Sequence, residues 1–363
     1  MRVVDCPTRV LIMAAGTGGH IFPGLAVASE LTAKGVGVAW LGTPTGLENK
    51  LVLGRGYALY TVNIRGLRGK GLLGWLLAPL LVFKAVLQAR KLLKEISPAV
   101  VLSMGGYVAG PGGLAAWSRR IPMVIHEQNR VPGMTNSLLS RLANTIFQGF
   151  PDSFHAARGA ITVGNPVRQS ILDIVAPQQR LANRTGPLRI LVLGGSQGAA
   201  SLNRLLPAAL AGLPAEQLIV VRHQAGKGRA GSTRDRYATE SIEAEVVDFI
   251  EDMAAAYAWA DLVVCRAGAL TVAEVAATGL AALFIPFPAA VDDHQTRNAE
   301  YLEDAGAARI IQESEITIQK LCQQLAGLTA SRDKLCQMAI NGHKMALPAA
   351  AEIVARRCQE LSQ

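Results

Sequence analysis

Two short glycine-rich segments, each directly after an apolar run, carry residues suited to chemistry. The first is Gly16-Thr-Gly-Gly-His20, and the second is Gly194-Gly-Ser-Gln-Gly198. Small residues let backbone amides approach a phosphate, and the dipole of a following helix favours its negative charge. His20 adds an imidazole, whose unperturbed pKa near ~6.5 suits a general base. The alternative for one such segment is a tight strand–helix turn without a ligand. Two of them predict two similar domains with a cleft between them, as a group-transfer enzyme needs.

Four other segments place small or polar residues after an apolar run. In open α/β sheets, ligands bind at the carboxyl ends of the strands. Three of the segments also have a structural interpretation: close helix packing for Ser103–Gly113, a loop that hydrogen-bonds the domain partner for His126–Asn129, and a helix with one solvated glutamate for Arg266–Glu274. The segments are Ser103–Gly113, His126-Glu-Gln-Asn129, Arg266–Glu274 and Pro286–Asn298.

Several cofactor motifs are missing from these segments. Ile21 occupies the place of the third glycine of a dinucleotide fingerprint, and the run Trp40–Thr43 lacks the acidic residue that binds ribose in NAD enzymes. No second histidine follows His126 at the spacing of a zinc helix, and the chain has neither a CxxC pair nor an Asp-x-Asp motif. We therefore expect no cofactor and no metal site.

The elements that must position these residues alternate between apolar runs and amphipathic helices such as Leu80–Glu95 and Leu202–Ala211. This βαβ pattern predicts an α/β fold with two Rossmann-like domains built on parallel sheets. The boundary is predicted near Gly164-Asn-Pro-Val-Arg168, before a polar stretch. The strand candidates are Val10–Ala14, Val36–Leu41, Ala99–Ser103, Met123–Ile125, Thr145–Phe147, Ile161–Val163, Arg189–Leu193, Leu218–Arg222, Glu245–Asp248, Leu262–Cys265, Ala282–Ile285 and Ala308–Ile311.

The composition agrees with two apolar domains. The chain has 363 residues, a hydrophobic fraction of 50% and a formal net charge of +9, and its mean hydropathy is +0.27. An aromatic fraction of 5% argues against nucleic-acid readers that stack bases. The positive charge by itself is compatible with nucleic acid, an anionic membrane surface or a phosphorylated substrate. Five scattered cysteines and a start without a signal-peptide pattern predict a cytoplasmic setting.

The apolar segment Leu72–Phe83 is too short to span a bilayer and is flanked by Arg and Lys residues. An apolar patch with a cationic rim is typical of an interfacial membrane site. A buried core helix that begins at Pro79 and has a solvated basic face is the alternative. The pattern by itself favours neither.

Taken in order, the motifs resemble the MurG family of peptidoglycan N-acetylglucosaminyltransferases, which convert lipid I to lipid II. The resemblance runs from about Arg9 to Asn298 and rests on the segments above, within them Gly105-Gly-Tyr and Asp293–Asn298, and on Gly164-Asn-Pro-Val-Arg168. It implies a GT-B arrangement with an acceptor- and membrane-facing domain of residues 1–166 plus 345–363. It also implies a UDP-GlcNAc-binding domain of residues 167–344, with the last helix, roughly Ala349–Leu361, crossing back.

The resemblance also implies roles for individual residues. His20 is the hypothetical general base, with helix capping or acceptor binding as its alternatives. Ser196 and Arg168 would serve the diphosphate, the backbone of Ile250 would read the uracil, and Glu274 would hold the ribose. Ala15 stands where the family usually has glycine. The remaining residues would surround GlcNAc (Thr17, Gly18, Gly19, Asn129, Gln295) or supply backbone amides to the donor (Ala269, Leu270, Thr271, Val272, Ala273, Glu274).

The implied partners are UDP-GlcNAc, undecaprenyl-linked lipid I, an anionic membrane reached through Leu72–Phe83, and proteins of cell-wall synthesis and division. The implied location is the cytoplasmic face of the cell membrane, as a peripheral protein, with no nucleic acid bound. Three rival functions remain at this stage. They are a lipid galactosyltransferase of the same superfamily, a UDP-GlcNAc 2-epimerase, and a sugar-nucleotide sensor without catalysis.

Overall fold

A computed structural model describes residues 8–64, 71–195, 197–288 and 293–363, with the backbone alone for residue 8 and residues 71–77. The chain folds into two compact units. Unit 1 is Met1–Arg168 with Leu347–Gln363, and unit 2 is Gln169–Ala346. Both boundaries lie two residues beyond those predicted from the sequence, so Arg168 belongs to unit 1.

Unit 1 is built on a parallel sheet. Among its described residues the sheet has seven strands in the order β3-β2-β1-β4-β5-β6-β7. Residues Val10 to Ala14 of β1 have no exposed surface, as expected for a central parallel strand that is buried on both faces. The strands are β1 Thr8–Ala14, β2 Gly37–Gly42, β3 Ala58–Thr61, β4 Val100–Gly105, β5 Met123–Glu127, β6 Thr145–Gln148 and β7 Ile161–Thr162.

Helices cover both faces of this sheet, and the side chains of β1 alternate between them. Ile12 packs in a cluster with Leu25 and Val354, whereas Leu11 and Met13 pack in a second cluster on the opposite face. The helices of unit 1 are α1 Gly18–Ala33, α2 Glu48–Leu53, α3 Gly71–Ile96, α4 Ala109–Ser118, α5 Met134–Leu139 and, from the end of the chain, α15 Ala350–Leu361.

Unit 2 repeats the plan with a parallel sheet of six strands among its described residues, in the order β10-β9-β8-β11-β12-β13. The strands are β8 Leu188–Leu193, β9 Ile219–Gln224, β10 Ala244–Val247, β11 Leu262–Cys265, β12 Ala281–Phe284 and β13 Ala308–Ile310. The helices are α6 Gln169–Leu172, α7 Pro177–Leu181, α8 Ala200–Ala211, α9 Ala230–Thr239, α10 Met253–Trp259, α11 Ala269–Thr278, α12 His294–Glu303, α13 Ile318–Thr329 and α14 Arg332–Lys344.

The predicted fold class is confirmed, since each unit is a Rossmann-like α/β layer structure with a parallel sheet. Each strand candidate from the sequence coincides with an observed strand, although the ends shift by one or two residues. The four-residue strand β3 was missed. The alternative helix start at Pro79 is wrong, because α3 begins at Gly71 and contains Pro79. Ala15 is not among the described residues with positive φ, so this position does not need glycine's left-handed backbone.

Candidate active site

In unit 1 the loops after β1 and β4 meet at the carboxyl edge of the sheet. These strands are neighbours although β2 and β3 lie between them in the chain, so their gap is the topological switch point where α/β proteins bind ligands. A Cβ at Gly106 would overlap the carbonyl oxygen of Ala15, and a Cβ at Gly105 would lie 2.9 Å from Cδ2 of His20. Glycine at both positions therefore permits the first loop and the Gly105–Gly106 segment to pack together.

His20 lies in the first turn of α1 and is half-buried at this edge. Its Nδ1 is 3.3 Å from Oγ1 of Thr17, the residue that precedes the helix. A general base that acts through Nε2 requires the Nδ1 proton to be donated to this hydroxyl, because neutral imidazole has one N–H and one lone pair. Thr17 and Gly19 are exposed, and Gly18 is half-buried. The loop thus presents His20 among the residues predicted to surround a sugar.

The side chains of His126 and Glu127 turn into the protein. His126 Nε2 is 2.8 Å from the carbonyl oxygen of Gly164, and burial lowers the pKa of this imidazole to about 4, so it is neutral and donates this bond. The Glu127 carboxylate accepts the amide N–H of Asn129 at 3.0 Å and that of Gly133 at 3.2 Å. Burial raises the pKa of Glu127, and these bonds oppose the rise. Asn129 is thereby held half-buried at the end of the segment.

Arg168 lies beside the first helix of unit 1. Its guanidinium carbon is 5.4 Å from the ring centroid of Phe22, within the range of a cation–π contact. Phe22 in turn stands next to Gly18, where an added Cβ would be 3.0 Å from the ring. A charged guanidinium is therefore held near the beginning of α1.

In unit 2 the switch point lies between β8 and β11, and the helix α11 begins there. Gly268 precedes the helix, and Gly279, at φ 58°, ends it. The Val272 amide donates to the Gly268 carbonyl at 3.0 Å, which is the first helical bond. The amides of Val272, Ala273 and Glu274 therefore lie within the helical hydrogen-bond pattern. The role of the Ala269–Glu274 amides in binding the sugar nucleotide stays a prediction.

Glu274 is buried on α11, with 6% of its surface exposed. Its Oε2 accepts the hydroxyl of Tyr257 at 3.0 Å, so this tyrosine orients the carboxylate predicted to hold a ribose. The predicted alternative of a solvated glutamate is therefore wrong. Ser196 lies outside the described residues. Its neighbour Gly198 packs against the next loop so closely that a Cβ there would overlap the carbonyl oxygen of Ala225.

Two residues predicted to bind UDP-GlcNAc, Ile250 and Gln295, form hydrogen bonds within the chain. The backbone N–H of Ile250 donates to Oε1 of Gln224 at 3.0 Å, so the predicted contact with uracil would use the Ile250 carbonyl. Oε1 of Gln295 accepts the amides of Ala267 at 3.2 Å and Phe287 at 3.0 Å. The hydrogen bond from Ile250 to Gln224 and the bonds that Gln295 accepts from Ala267 and Phe287 were not predicted, because no local sequence pattern indicates them.

Arg266, which begins the segment before α11, has a structural role. Its guanidinium forms two bonds to the Glu313 carboxylate, at 2.7 and 3.0 Å, and it also binds the carbonyl of Ile285. Within the described parts of both units, no group of three or more His, Cys, Asp or Glu side chains is arranged to hold a metal ion.

Two family models match the chain in consecutive ranges. The Glycosyltransferase family 28 N-terminal domain matches residues 10–148, and the Glycosyltransferase family 28 C-terminal domain matches residues 189–354. Apart from the first two residues of β1 and the first residue of β8, the first range contains β1 to β6 and the second contains β8 to β13. The fold and the two edges thus define a two-domain glycosyltransferase.

Relatives narrow this class. A Coxiella burnetii protein, named UDP-N-acetylglucosamine--N-acetylmuramyl-(pentapeptide) pyrophosphoryl-undecaprenol N-acetylglucosamine transferase, is 52% identical over 352 residues, which are 97% of this chain and 98% of that protein. The crystal structure of Acinetobacter baumannii MurG superimposes with a TM-score of 0.85 at 44% identity and covers 98% of this chain and 100% of its own. The chain belongs to the MurG family of family 28 glycosyltransferases.

The rival epimerase shares the architecture alone. The structure of UDP-GlcNAc 2-epimerase from Neisseria meningitidis, bound to UDP-GlcNAc, has a TM-score of 0.65 at 14% identity and covers 97% of this chain. The TM-score supports a shared fold, and at this identity the likeness gives no information about activity.

Proposed function

We propose that this chain transfers N-acetylglucosamine from UDP-GlcNAc to the C4 hydroxyl of the muramoyl-pentapeptide of undecaprenyl-linked lipid I, forming lipid II and UDP. The observation that carries the proposal is the 52% identity to a transferase of that name over 97% of the chain. Both switch-point edges contain the motifs through which the sequence resembles this family.

Unit 2 binds the nucleotide of UDP-GlcNAc. The buried Glu274 accepts the ribose hydroxyls, and the Ile250 carbonyl accepts the uracil N–H. The amides of Leu270 and Thr271 and the dipole of α11 stabilise the charge that develops on the departing diphosphate. Ser196 contributes a donor to a diphosphate, and Gln295 binds GlcNAc hydroxyls. In unit 1, Arg168 and Asn129 keep the substrate-binding roles that the family resemblance implies.

His20 removes the proton of the acceptor hydroxyl. As the acceptor oxygen bonds to C1 of GlcNAc, the bond from C1 to the UDP oxygen breaks and its electron pair leaves with UDP. Attack from the face opposite UDP inverts the α-linkage to β. The proton passes to Nε2 of His20, while Thr17 holds Nδ1. A base in this position contributes about 10²–10⁴ in rate.

An exposed apolar surface on α3 binds the lipid surface. Leu80, Leu81, Phe83 and Leu87 are 45–59% exposed, and on the adjoining α4 Trp117 is 56% exposed. The exposed cations Lys84, Arg90, Lys91 and Lys94 border this membrane patch on the same helix. Apolar contact and attraction to anionic headgroups together favour peripheral binding to the cytoplasmic face. None of the described helices is long and apolar enough to cross a bilayer.

The test is to incubate the purified chain with UDP-GlcNAc, with and without lipid I, and to measure UDP release and product mass. UDP release that requires lipid I, with a product heavier by one GlcNAc, supports the transferase. Preference for UDP-galactose or another lipid acceptor would support the galactosyltransferase. ManNAc formation without acceptor would support the epimerase, and binding without turnover would support the sensor.

A further inference from the structure

Glu48, the first residue of α2, is a fully buried carboxylate that the proposed mechanism does not use. Its Oε2 accepts the backbone N–H of Gly16 at 3.3 Å. Its Oε1 accepts the amide of Thr43 at 2.8 Å and the Thr43 hydroxyl at 2.6 Å. All three partners donate, and an ionised carboxylate is an acceptor at both oxygens. Burial of its charge is thus compensated within the protein.

The turn between β2 and α2 is shaped around this carboxylate. A Cβ at Gly46 would overlap the carboxylate, and a Cβ at Gly42 would lie 2.7 Å from Cγ of Glu48. Asn49 fixes the same turn by donating from Nδ2 to the carbonyls of Thr43 at 2.8 Å and Gly46 at 3.1 Å. The carboxylate therefore occupies a prepared position below the first glycine-rich loop.

A short chain of contacts leads from Glu48 to His20. Gly16 has φ +96°, a backbone conformation that favours glycine. Glycine also has more backbone freedom than any other residue. Thr17 follows directly, and its carbonyl accepts the amide of His20 at 3.2 Å while its Oγ1 lies 3.3 Å from His20 Nδ1. The hydrogen bond from the Gly16 amide to Glu48 therefore restrains the most flexible residue of this turn.

We propose that Glu48 is a positioning residue of the transfer reaction, which holds the Gly16–His20 turn in place through the Gly16 amide. In dinucleotide-binding proteins an acidic residue after the second strand binds a ribose. Here the acidic residue after β2 binds the protein's own loop, so the Gly16 amide is not offered to a phosphate. The inference rests on the proposed role of His20.

The experiment compares Glu48→Gln with the wild type. The carboxamide has the same shape as the carboxylate. In either orientation, however, its NH₂ group faces one of the two backbone amides, of Gly16 or of Thr43, that donate to Glu48 in the wild type. We expect kcat for lipid I to fall on the order of tenfold to hundredfold, because displacement of a catalytic group by about 1 Å costs that much. We expect the Kd for UDP to stay within about twofold, and hydrogen exchange at the Gly16–His20 amides to accelerate.

Glu216→Gln, at an exposed glutamate of unit 2, is the control for the loss of one charge. Glu48→Asp keeps the charge on a shorter side chain, and its kcat should also fall. This variant replaces Glu48→Gln in the experiment if Glu48→Gln does not fold. An unchanged kcat, an unchanged exchange rate, or a parallel loss of UDP affinity would overturn the proposal. If the wild type forms no lipid II, the proposed function fails, while the exchange comparison still decides whether Glu48 holds the loop.

Discussion

At the scale of residues, the proposed chemistry depends on one imidazole and on the groups that orient it. His20 is held between the Thr17 hydroxyl and the bare backbone of Gly105. A side chain at Gly105 would push the ring away, so the glycine is part of the geometry of the proposed base. His126, in the candidate segment His126–Asn129, is neutral and bonded to a backbone carbonyl, which makes it a structural residue.

We predict that His20→Gln lowers kcat by about 10²–10⁴, equivalent to about 3–5 kcal/mol, because glutamine can hydrogen-bond the acceptor but cannot take its proton. Initial rates at saturating lipid I and UDP-GlcNAc provide the measurement. His155→Gln, at an exposed histidine of unit 1, should leave kcat unchanged. A loss of less than about tenfold in His20→Gln would remove His20 from the role of base.

At the scale of elements, each unit gathers its site at the point where the strand order reverses. Successive crossovers leave β1 and β4 as neighbours in unit 1 and β8 and β11 as neighbours in unit 2. The loops after these strands can pack closely because their glycines carry no Cβ. This packing, rather than any single motif, creates the edge that holds His20.

We predict that Gly106→Ala destabilises unit 1 and lowers turnover, since its Cβ would overlap the Ala15 carbonyl oxygen. Gly35→Ala is the matched control: Gly35 also has positive φ, at +73°, but an added Cβ meets nothing within 4 Å. Both variants carry the backbone cost of about 1 kcal/mol, and Gly106→Ala adds the overlap. Thermal unfolding and kcat should therefore separate the two variants. Equal losses of stability and kcat in the two variants would show that the loops can accommodate a Cβ at Gly106.

At the scale of the whole molecule, each unit contains one buried neutral histidine. Burial lowers the pKa of His126 in unit 1 to about 4 and that of His223 in unit 2 to about 3. His223 is bonded to the Tyr237 hydroxyl at 2.9 Å and lies 3.1 Å from Asn203 Oδ1. The unfolded chain binds protons at both histidines near pH ~6.5, whereas the folded chain does not.

The sign of the pH dependence follows from these lowered pKa values. The stabilisation is complete above about pH 6.5 and decreases as the pH falls toward about 4 for His126 and about 3 for His223, because the unfolded state then binds more protons. At pH 5 each histidine should cost about 2 kcal/mol of the free energy of unfolding. Urea unfolding at pH 7.5 and pH 5.0 measures this loss, and His223→Gln should reduce the pH dependence of unit 2. A flat profile for both units would contradict the assignment.

The membrane patch gives a second prediction at this scale. Leu87→Asp, which charges an exposed leucine of α3, should weaken binding to vesicles that contain anionic lipids, and turnover of a water-soluble acceptor analogue should persist. Leu218→Asp, at an exposed leucine of unit 2, is the control. Vesicle sedimentation at low and high salt is the measurement. Equal binding by both variants would place the lipid contact elsewhere.

The strand pattern could be predicted from the sequence because central parallel strands are buried on both faces and therefore appear as continuous apolar runs. The strand β3 escaped this prediction, since it forms the edge of its sheet and its residues Ala58–Thr61 are exposed or half-buried. The helix α3 escaped in part because Pro79 indicates a helix start, whereas the helix continues through it. Local patterns thus identified buried elements better than partly exposed ones.

The sequence by itself determined the α/β class, the glycine-rich turns with His20, and the family, because residue types and spacing carry this information locally. The tertiary structure alone decided that Glu48 supports the first loop, that Gln224 takes the Ile250 amide, and that His126 and Glu127 point inward. Three of these contacts join different loops or strands: Glu48 with Gly16, Gln224 with Ile250, and His126 with Gly164. Strand order and the turn of each loop determine which groups meet there, and no local pattern specifies either.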